Sequence, residues 1–177
     1  SNFSWAPGGT SIAFTMTDPV TDAMKEREKR WGEVRIEDQD QRYTHLYLLD
    51  LASKVVKPLT SGAVVVGSFD WSPDGTKLAF DHRLTSDPAD SGTADISVVT
   101  VATGAREAVV TQAGPDSNPR WSPDGSQIAF VSSMSKPFPF FQNSVIATVT
   151  PGKAHLQSLT DAFDEDPNLI AWTRTGL

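Results

Sequence analysis

The residues of this chain that most readily suggest acid–base or metal chemistry are its three histidines, His45, His82 and His155. Acyl transfer would need one of them near a serine on a sharp strand-to-helix turn, usually written G-x-S-x-G, and the sequence contains no such motif. The histidines are poor metal ligands unless the fold brings them together, and there is no cysteine. Phosphate-binding loops, dinucleotide fingerprints and EF-hands do not occur either. We therefore predict no catalytic residue, no metal site and no cofactor in this chain.

Two aspartates, Asp74 and Asp124, stand in nearly identical segments, WSPDGTKLAF at 71–80 and WSPDGSQIAF at 121–130. A carboxylate that recurs in this way is either a ligand or general base, or a turn residue bonded to its own backbone. Pro, Asp and Gly suit successive positions of a type I turn closed by a left-handed residue. Degraded copies at 3–14 and 169–177 keep the last glycine but lose the aspartate. Because backbone geometry explains why the copies keep this glycine, we interpret both aspartates as turn residues.

The elements that hold these turns follow a repeat. The tryptophans that mark the copies, Trp5, Trp71, Trp121 and Trp172, stand 66, 50 and 51 residues apart. A period near fifty suits a four-stranded unit. Each copy contains short runs rich in Val, Ile, Leu and Thr, bounded by turn residues, which predict four strands, called A to D here. We expect the tryptophans to pack between neighbouring sheets.

The repeats resemble WD40-like propeller blades, and this resemblance implies an all-β fold class: a partial β-propeller of three four-stranded antiparallel blades plus the first strand of a fourth, with one helical insertion in blade 1. The whole chain, 1–177, forms a single domain in this prediction. Its expected parts are blade 1 at about 3–60, blade 2 at about 67–111, blade 3 at about 118–160 and the start of blade 4 at about 168–177.

The WSPDG-x-x-[IL]-A-F signature resembles the WD40-like blades of TolB and of the prolyl oligopeptidase family of serine peptidases. The segment DQRYTHLYLLDLASKVVKPLT at 40–60 resembles the propellers of dipeptidyl aminopeptidases and acylaminoacyl peptidases in particular. The resemblance covers essentially the whole chain. It implies a non-catalytic propeller that restricts access and binds peptide for an α/β-hydrolase domain outside this chain. The alternative is a TolB-like scaffold for protein partners with no enzyme activity.

Propellers close with four to eight blades, so three blades and one strand suggest a piece of a larger protein. An arc of this kind leaves two blade faces bare. We therefore expect the isolated chain to self-associate through its open blade faces.

The loops between strands B and C lie on one side of such an arc and are its longest insertions, at about 16–43, 81–93 and 132–143. Function tends to reside on elaborated loops of this kind. The first insertion predicts a helix capped near Asp18 and stopped at Gly32. Its arginines could pair with a peptide carboxylate, or the helix could be a solvated surface element, which mixed charge favours. The candidates are Arg27, Arg30, Arg35 and Arg42.

The third insertion contains KPFPFFQN at 136–143. Its phenylalanines, Phe138, Phe140 and Phe141, either line a substrate pocket or dock a missing domain, or they fold back as a small satellite core.

The D–A loop TDAFDEDPNL at 160–169 is acidic. In dipeptidyl peptidases a comparable loop binds the substrate amine with glutamates, so Glu165 is kept as a candidate, against the interpretation of a solvated turn.

The formal net charge of −7 argues against nucleic acid and anionic membranes as partners, because both attract basic patches. No apolar run is long enough to span a bilayer. The sequence leaves the compartment open between bacterial cytoplasm and periplasm.

Overall fold

The computed structural model describes residues 2–34, 36, 40–136, 142–153 and 155–177. Strands dominate and fall into three successive sets of four, which we call units 1 to 3. Unit 1 comprises β1 (Phe3–Trp5), β2 (Ser11–Thr17), β3 (Thr44–Asp50) and β4 (Val56–Pro58), with helix α1 (Asp22–Trp31) between β2 and β3. Unit 2 comprises β5 (Val65–Trp71), β6 (Lys77–Arg83), β7 (Asp95–Thr100) and β8 (Arg106–Val110), with a 3₁₀ helix at Pro88–Thr93. Unit 3 comprises β9 (Asp116–Trp121), β10 (Ile128–Ser132), β11 (Val145–Val149) and β12 (Leu156–Ser158).

Within each unit, strands consecutive along the chain pair antiparallel. A single parallel bridge between Thr44 and Val65 links units 1 and 2. Meander order places the A–B and C–D turns at one end of each unit and the B–C and D–A connections at the other. The long B–C connections therefore share one side of the molecule, which we call the loop side.

The repeated SPDG segments are turns. Gly75 and Gly125 adopt left-handed φ values of 69° and 72°, which favour glycine. The Asp124 carboxylate accepts hydrogen bonds from the Ser122 hydroxyl at 2.6 Å and from the Ser126 N–H at 3.0 Å, and these bonds lower its pKa to about 2. Asp74 is bonded in the same way. The prediction that both aspartates serve their own turns is confirmed.

Neighbouring units pack through apolar faces, and the tryptophans lie in these contacts. Trp71 is 7% exposed and packs with unit 1, and its indole N–H donates to the Ser4 carbonyl at 3.4 Å. Trp121 is 5% exposed and packs with unit 2. Trp5 departs from the prediction of packing, because 54% of it is exposed.

The expected first strand of a fourth blade is not formed, which corrects the prediction. Residues 168–172 carry no strand, and the turn that follows is closed by an isolated bridge between Thr173 and Gly176. The Leu169 carbonyl accepts from the Asn118 side chain at 2.5 Å, and the Ile170 carbonyl accepts from Arg120 Nε at 3.0 Å. These two carbonyl groups, which in a strand would accept from the backbone of a neighbouring strand, are thus bound by side chains.

Helix α1 begins three residues later than the sequence predicts. Thr21 caps it, accepting from the Met24 N–H at 3.2 Å, and Gly32 ends it with φ 77°. Asp18 is not the cap because its carboxylate accepts from the Tyr43 N–H at 3.2 Å and its carbonyl binds a side chain described below. No helix in the described part of the chain is long and apolar enough to cross a membrane.

Candidate functional site

The candidate site is a cavity of about 390 Å³ on the loop side. It lies between α1, the chain that follows it and the B–C connection of unit 2. The described residues around it are Val20, Met24, Arg27, Glu28, Glu33, Val34, Asp40, Arg42 and Ser86. Two units therefore contribute to one concave surface, as is usual for binding sites.

An ion pair between Arg27 and Asp40 forms one wall of the cavity. The two side chains are 14% and 3% exposed, so the pair is largely removed from water. Asp40 also accepts a 2.6 Å hydrogen bond from the Ile36 N–H, and Arg27 Nε donates to the Val34 carbonyl at 3.3 Å. A buried charge needs its partner, because an unpaired one is costly. This arginine therefore fixes the chain after α1 in place.

Arg42 forms a second wall and ties the two connections together. Its Nε and Nη2 donate to the Asp18 carbonyl at 2.9 and 2.6 Å. Its backbone N–H donates to the Ser86 hydroxyl at 3.3 Å. Ser86 in turn donates from its N–H and hydroxyl to the Gln41 side chain at 2.8 and 2.7 Å. The B–C connections of units 1 and 2 are thus joined by side-chain hydrogen bonds.

The lining of the cavity combines apolar and charged side chains. Apolar side chains, Val20, Met24 and Val34, lie beside the acidic residues Glu28 and Glu33 and beside guanidinium groups. Among the described lining residues there is no histidine or cysteine. Such a surface can receive an apolar side chain and orient a charged group next to it.

The residues predicted to bind substrate have different locations. Arg42 lines the cavity. Arg35, Phe138, Phe140 and Phe141 lie outside the described residues. Glu165 is exposed in the connection after β12 and does not lie among the described lining residues. In that connection Asp166 accepts hydrogen bonds from the Ser144 N–H and hydroxyl at 2.8 and 2.7 Å, and these bonds lower its pKa.

Asp40, Gln41 and Ser86 contribute to the site without having been identified in the sequence. They belong to polar segments outside any repeat, so periodicity gives no signal for them. Arg27 was a candidate for a peptide carboxylate, and the structure instead pairs it with Asp40.

Two of the three histidines, His82 and His45, contact neighbouring side chains within the fold, whereas His155 is exposed. His82 Nε2 and the Ser97 hydroxyl are 2.7 Å apart, but both residues are buried in the middle of unit 2. Burial lowers the pKa of His82, and the charge of Arg106 lowers it further. His45 Nδ1 lies 3.5 Å from the Thr60 hydroxyl. Among the described residues no three His, Cys, Asp or Glu side chains are grouped so that they could hold a metal ion.

Comparison with known proteins shows what this architecture is similar to. No family model matches the sequence, and no curated protein is similar to it at a significant level. Solved structures are similar. A putative TolB from Agrobacterium tumefaciens matches with a TM-score of 0.57 and 22% identity, over 87% of this chain and 46% of that protein.

Peptidase propellers match equally well. A puromycin-hydrolyzing peptidase from Mycobacterium tuberculosis has a TM-score of 0.58 and 17% identity, over 89% of this chain and 22% of that one. The β-propeller domain of the trilobed protease from Pyrococcus furiosus has a TM-score of 0.54 and 12% identity, over 85% and 39%. This chain thus spans less than half the length of each of these proteins. The prediction of WD40-like propeller repeats is confirmed, and at these identities the likeness concerns the fold alone.

Proposed function

We propose that this chain is a non-catalytic propeller segment of a prolyl-oligopeptidase-family serine peptidase. In this proposal it contributes three blades. It admits and binds peptide for an α/β-hydrolase domain outside residues 1–177. The likeness to the propellers of two peptidases supports the proposal.

The observation that carries it is the loop-side cavity. The connections that form it are the most elaborated of unit 1 and unit 2, and hydrogen bonds through Ser86 join them. Its apolar wall can take one peptide side chain, and the Arg42 donors that the Asp18 carbonyl does not use can bind a peptide carboxylate. We assign Arg35 and the phenylalanines Phe138, Phe140 and Phe141 to the same peptide surface, and Glu165 to the peptide amine.

Calorimetric titration with short peptides tests this assignment. We expect binding without hydrolysis, with weaker binding in a Met24→Glu variant because a charge is placed against the apolar wall. Val56→Glu is the matched control, since Val56 is exposed on β4, away from the lining residues. Peptide affinity that is equal in the two variants, or that is absent in the unaltered chain, would contradict the assignment.

A TolB-like scaffold for protein partners is the second candidate. It is favoured by the match to a TolB of which this chain spans 46%. The gene sequence after the codon for Leu177 separates the two candidates. A G-x-S-x-G elbow within an alternating α/β pattern supports the peptidase, whereas further propeller repeats with no such domain support the scaffold. In both cases we expect neither nucleic acid nor membrane as a partner.

A further inference from the structure

The charges around the loop-side cavity are unequally compensated. Its described lining residues carry two guanidinium groups and three carboxylates. Arg27 and Asp40 are paired with each other and largely removed from water, so together they offer a ligand no net charge. The charged groups that remain are Arg42 and two glutamates, Glu28 and Glu33. These three side chains determine which ligand charges the cavity can compensate.

The two glutamates lack a cationic partner within the described chain. Glu28 and Glu33 are exposed, and neither belongs to an ion pair among the described residues. The other acidic residues of α1, Asp22 and Glu26, are by contrast paired with lysines of the same helix at 3.0 and 2.8 Å. Two unpaired carboxylates beside one concave surface favour a cationic ligand. The net charge of −7 attracts such a ligand from a distance as well.

An apolar surface lies next to Glu28. Met24 and Glu28 are four residues apart on α1, so their side chains lie on the same face of the helix, one turn apart. Met24 lines the cavity together with Val20 and Val34. Lysine and arginine side chains suit such a surface, because their aliphatic stems pack on apolar groups while the cationic end stays at the polar edge. The cavity therefore fits a basic side chain better than a short ammonium group.

Arg42 supplies the opposite charge at the same cavity. Its Nε and Nη2 donate to the Asp18 carbonyl, whereas its Nη1 donates to no described residue. Because the carbonyl is neutral, the guanidinium keeps its charge and can still bind a carboxylate. A ligand that carries a carboxylate next to a basic side chain can thus use both kinds of charge.

We infer that the loop-side cavity selects peptides that end in lysine or arginine. The basic side chain lies along Met24 toward Glu28 and Glu33, and the terminal carboxylate binds Arg42. This specificity rests on the proposed function, since it names the substrate class of the same peptide site. The volume of about 390 Å³ is at the lower end of the range for small-ligand sites, which suits a terminal residue better than a long segment.

Calorimetric titration of the 177-residue chain with three acetylated tripeptides tests this specificity. The peptides are acetyl-Gly-Gly-Lys, the same peptide ending in norleucine, and the lysine peptide with an amidated C-terminus. Acetylation removes the α-amino group, which would otherwise compete for the glutamates. We expect the lysine peptide to bind about tenfold more tightly than either of the others. Norleucine keeps the aliphatic stem without its charge, and the amide removes the terminal carboxylate.

A double variant, Glu28→Gln with Glu33→Gln, tests the two glutamates. It should bind the lysine and norleucine peptides equally, because glutamine keeps the shape of glutamate and loses its charge. Glu26→Gln is the matched control, since Glu26 lies on the same helix and is already paired with Lys29. The control should retain the preference for lysine.

The possible results separate this specificity from the proposed function. Equal binding of the lysine and norleucine peptides, or a preference that the double variant retains, would overturn the inference and leave peptide binding itself intact. Equal binding of the free and amidated lysine peptides would overturn the selection of a terminal residue. If none of the three peptides binds the unaltered chain, the proposed function is contradicted and the inference falls with it.

Discussion

The Asp70 carboxylate accepts a 2.8 Å hydrogen bond from the backbone N–H of Trp121, the residue that opens the turn of the next unit. Asp81 makes a second bond of this kind, accepting from the Asn118 N–H at 2.9 Å. Two carboxylates of unit 2 thus satisfy two backbone donors of unit 3. Buried backbone groups need such partners, so these bonds hold the two units in register as well as together.

Removing the Asp70 carboxylate should loosen this junction. We expect Asp70→Ala to lower the free energy of unfolding by about 1.5–3 kcal/mol, the usual value of a hydrogen bond to a charged group. Asp70→Asn should recover part of the loss, because the amide oxygen can still accept. Urea unfolding measures the stability of both variants, and Asp164→Ala is the control because Asp164 is exposed. A loss no larger than that of the control would show that the bond contributes nothing.

Gly67 offers a way to disturb Asp81 without changing any charge. A Cβ at Gly67 would lie 2.0 Å from Asp81 Oδ1, and that carboxylate is held in place by the Ser68 and Asn118 N–H groups. We expect Gly67→Ala to destabilise the protein by about 1–3 kcal/mol, the cost typical of overpacking. Gly92→Ala is the control, since no atom lies within 4 Å of its added Cβ. Equal unfolding midpoints would contradict the prediction.

Asp116 should make stability depend on pH. It is fully buried, and this burial, with a further contribution from the charge of Asp95, raises its pKa from 3.8 to about 6. The folded protein then binds this proton more tightly than the unfolded chain does. Its contribution to stability is therefore complete below pH 3.8 and is lost as the pH rises to about 6, a change on the order of 3 kcal/mol.

Asp116→Asn should remove this part of the pH dependence, because the amide does not titrate. Urea unfolding at several pH values between 3.8 and 6 measures the slope. The comparison must be with the unaltered chain, since Asp124 and Asp166 have lowered pKa values and contribute slopes of opposite sign. Identical slopes in the two proteins would rule out Asp116 as the titrating group.

The sequence predicts the strands, the turns and the loop side well, because these depend on features that recur at each copy. It does not predict the junction between units 2 and 3. The residue before the marker tryptophan differs in the four copies: it is Ser4, Asp70, Arg120 and Ala171. The repeat pattern therefore gives no indication that the Asp70 carboxylate has a structural role. Its partner is a backbone N–H fifty-one residues away, which no side-chain pattern reveals.

The candidate site illustrates the same limit. The sequence places the helix and its arginines on the loop side, but it cannot show that Arg27 is used by Asp40 while Arg42 binds a carbonyl. These pairings depend on how an irregular connection folds back on itself. The start of α1 shifts for a related reason, because Asp18 has partners near Tyr43 that compete with capping.

The Arg27–Asp40 pair leads to the last prediction. Removing Arg27 leaves the Asp40 charge with less compensation in a place that is only 3% exposed. We expect Arg27→Met to lower the free energy of local opening around α1 by about 3 kcal/mol, as when one member of a buried pair is lost. Hydrogen exchange of the α1 amides measures this opening. Arg30→Met is the matched control, since Arg30 lies on the same helix and only stacks on Trp31, 5.2 Å from the ring. Equal exchange rates in the two variants would mean that the ion pair does not hold the cavity wall.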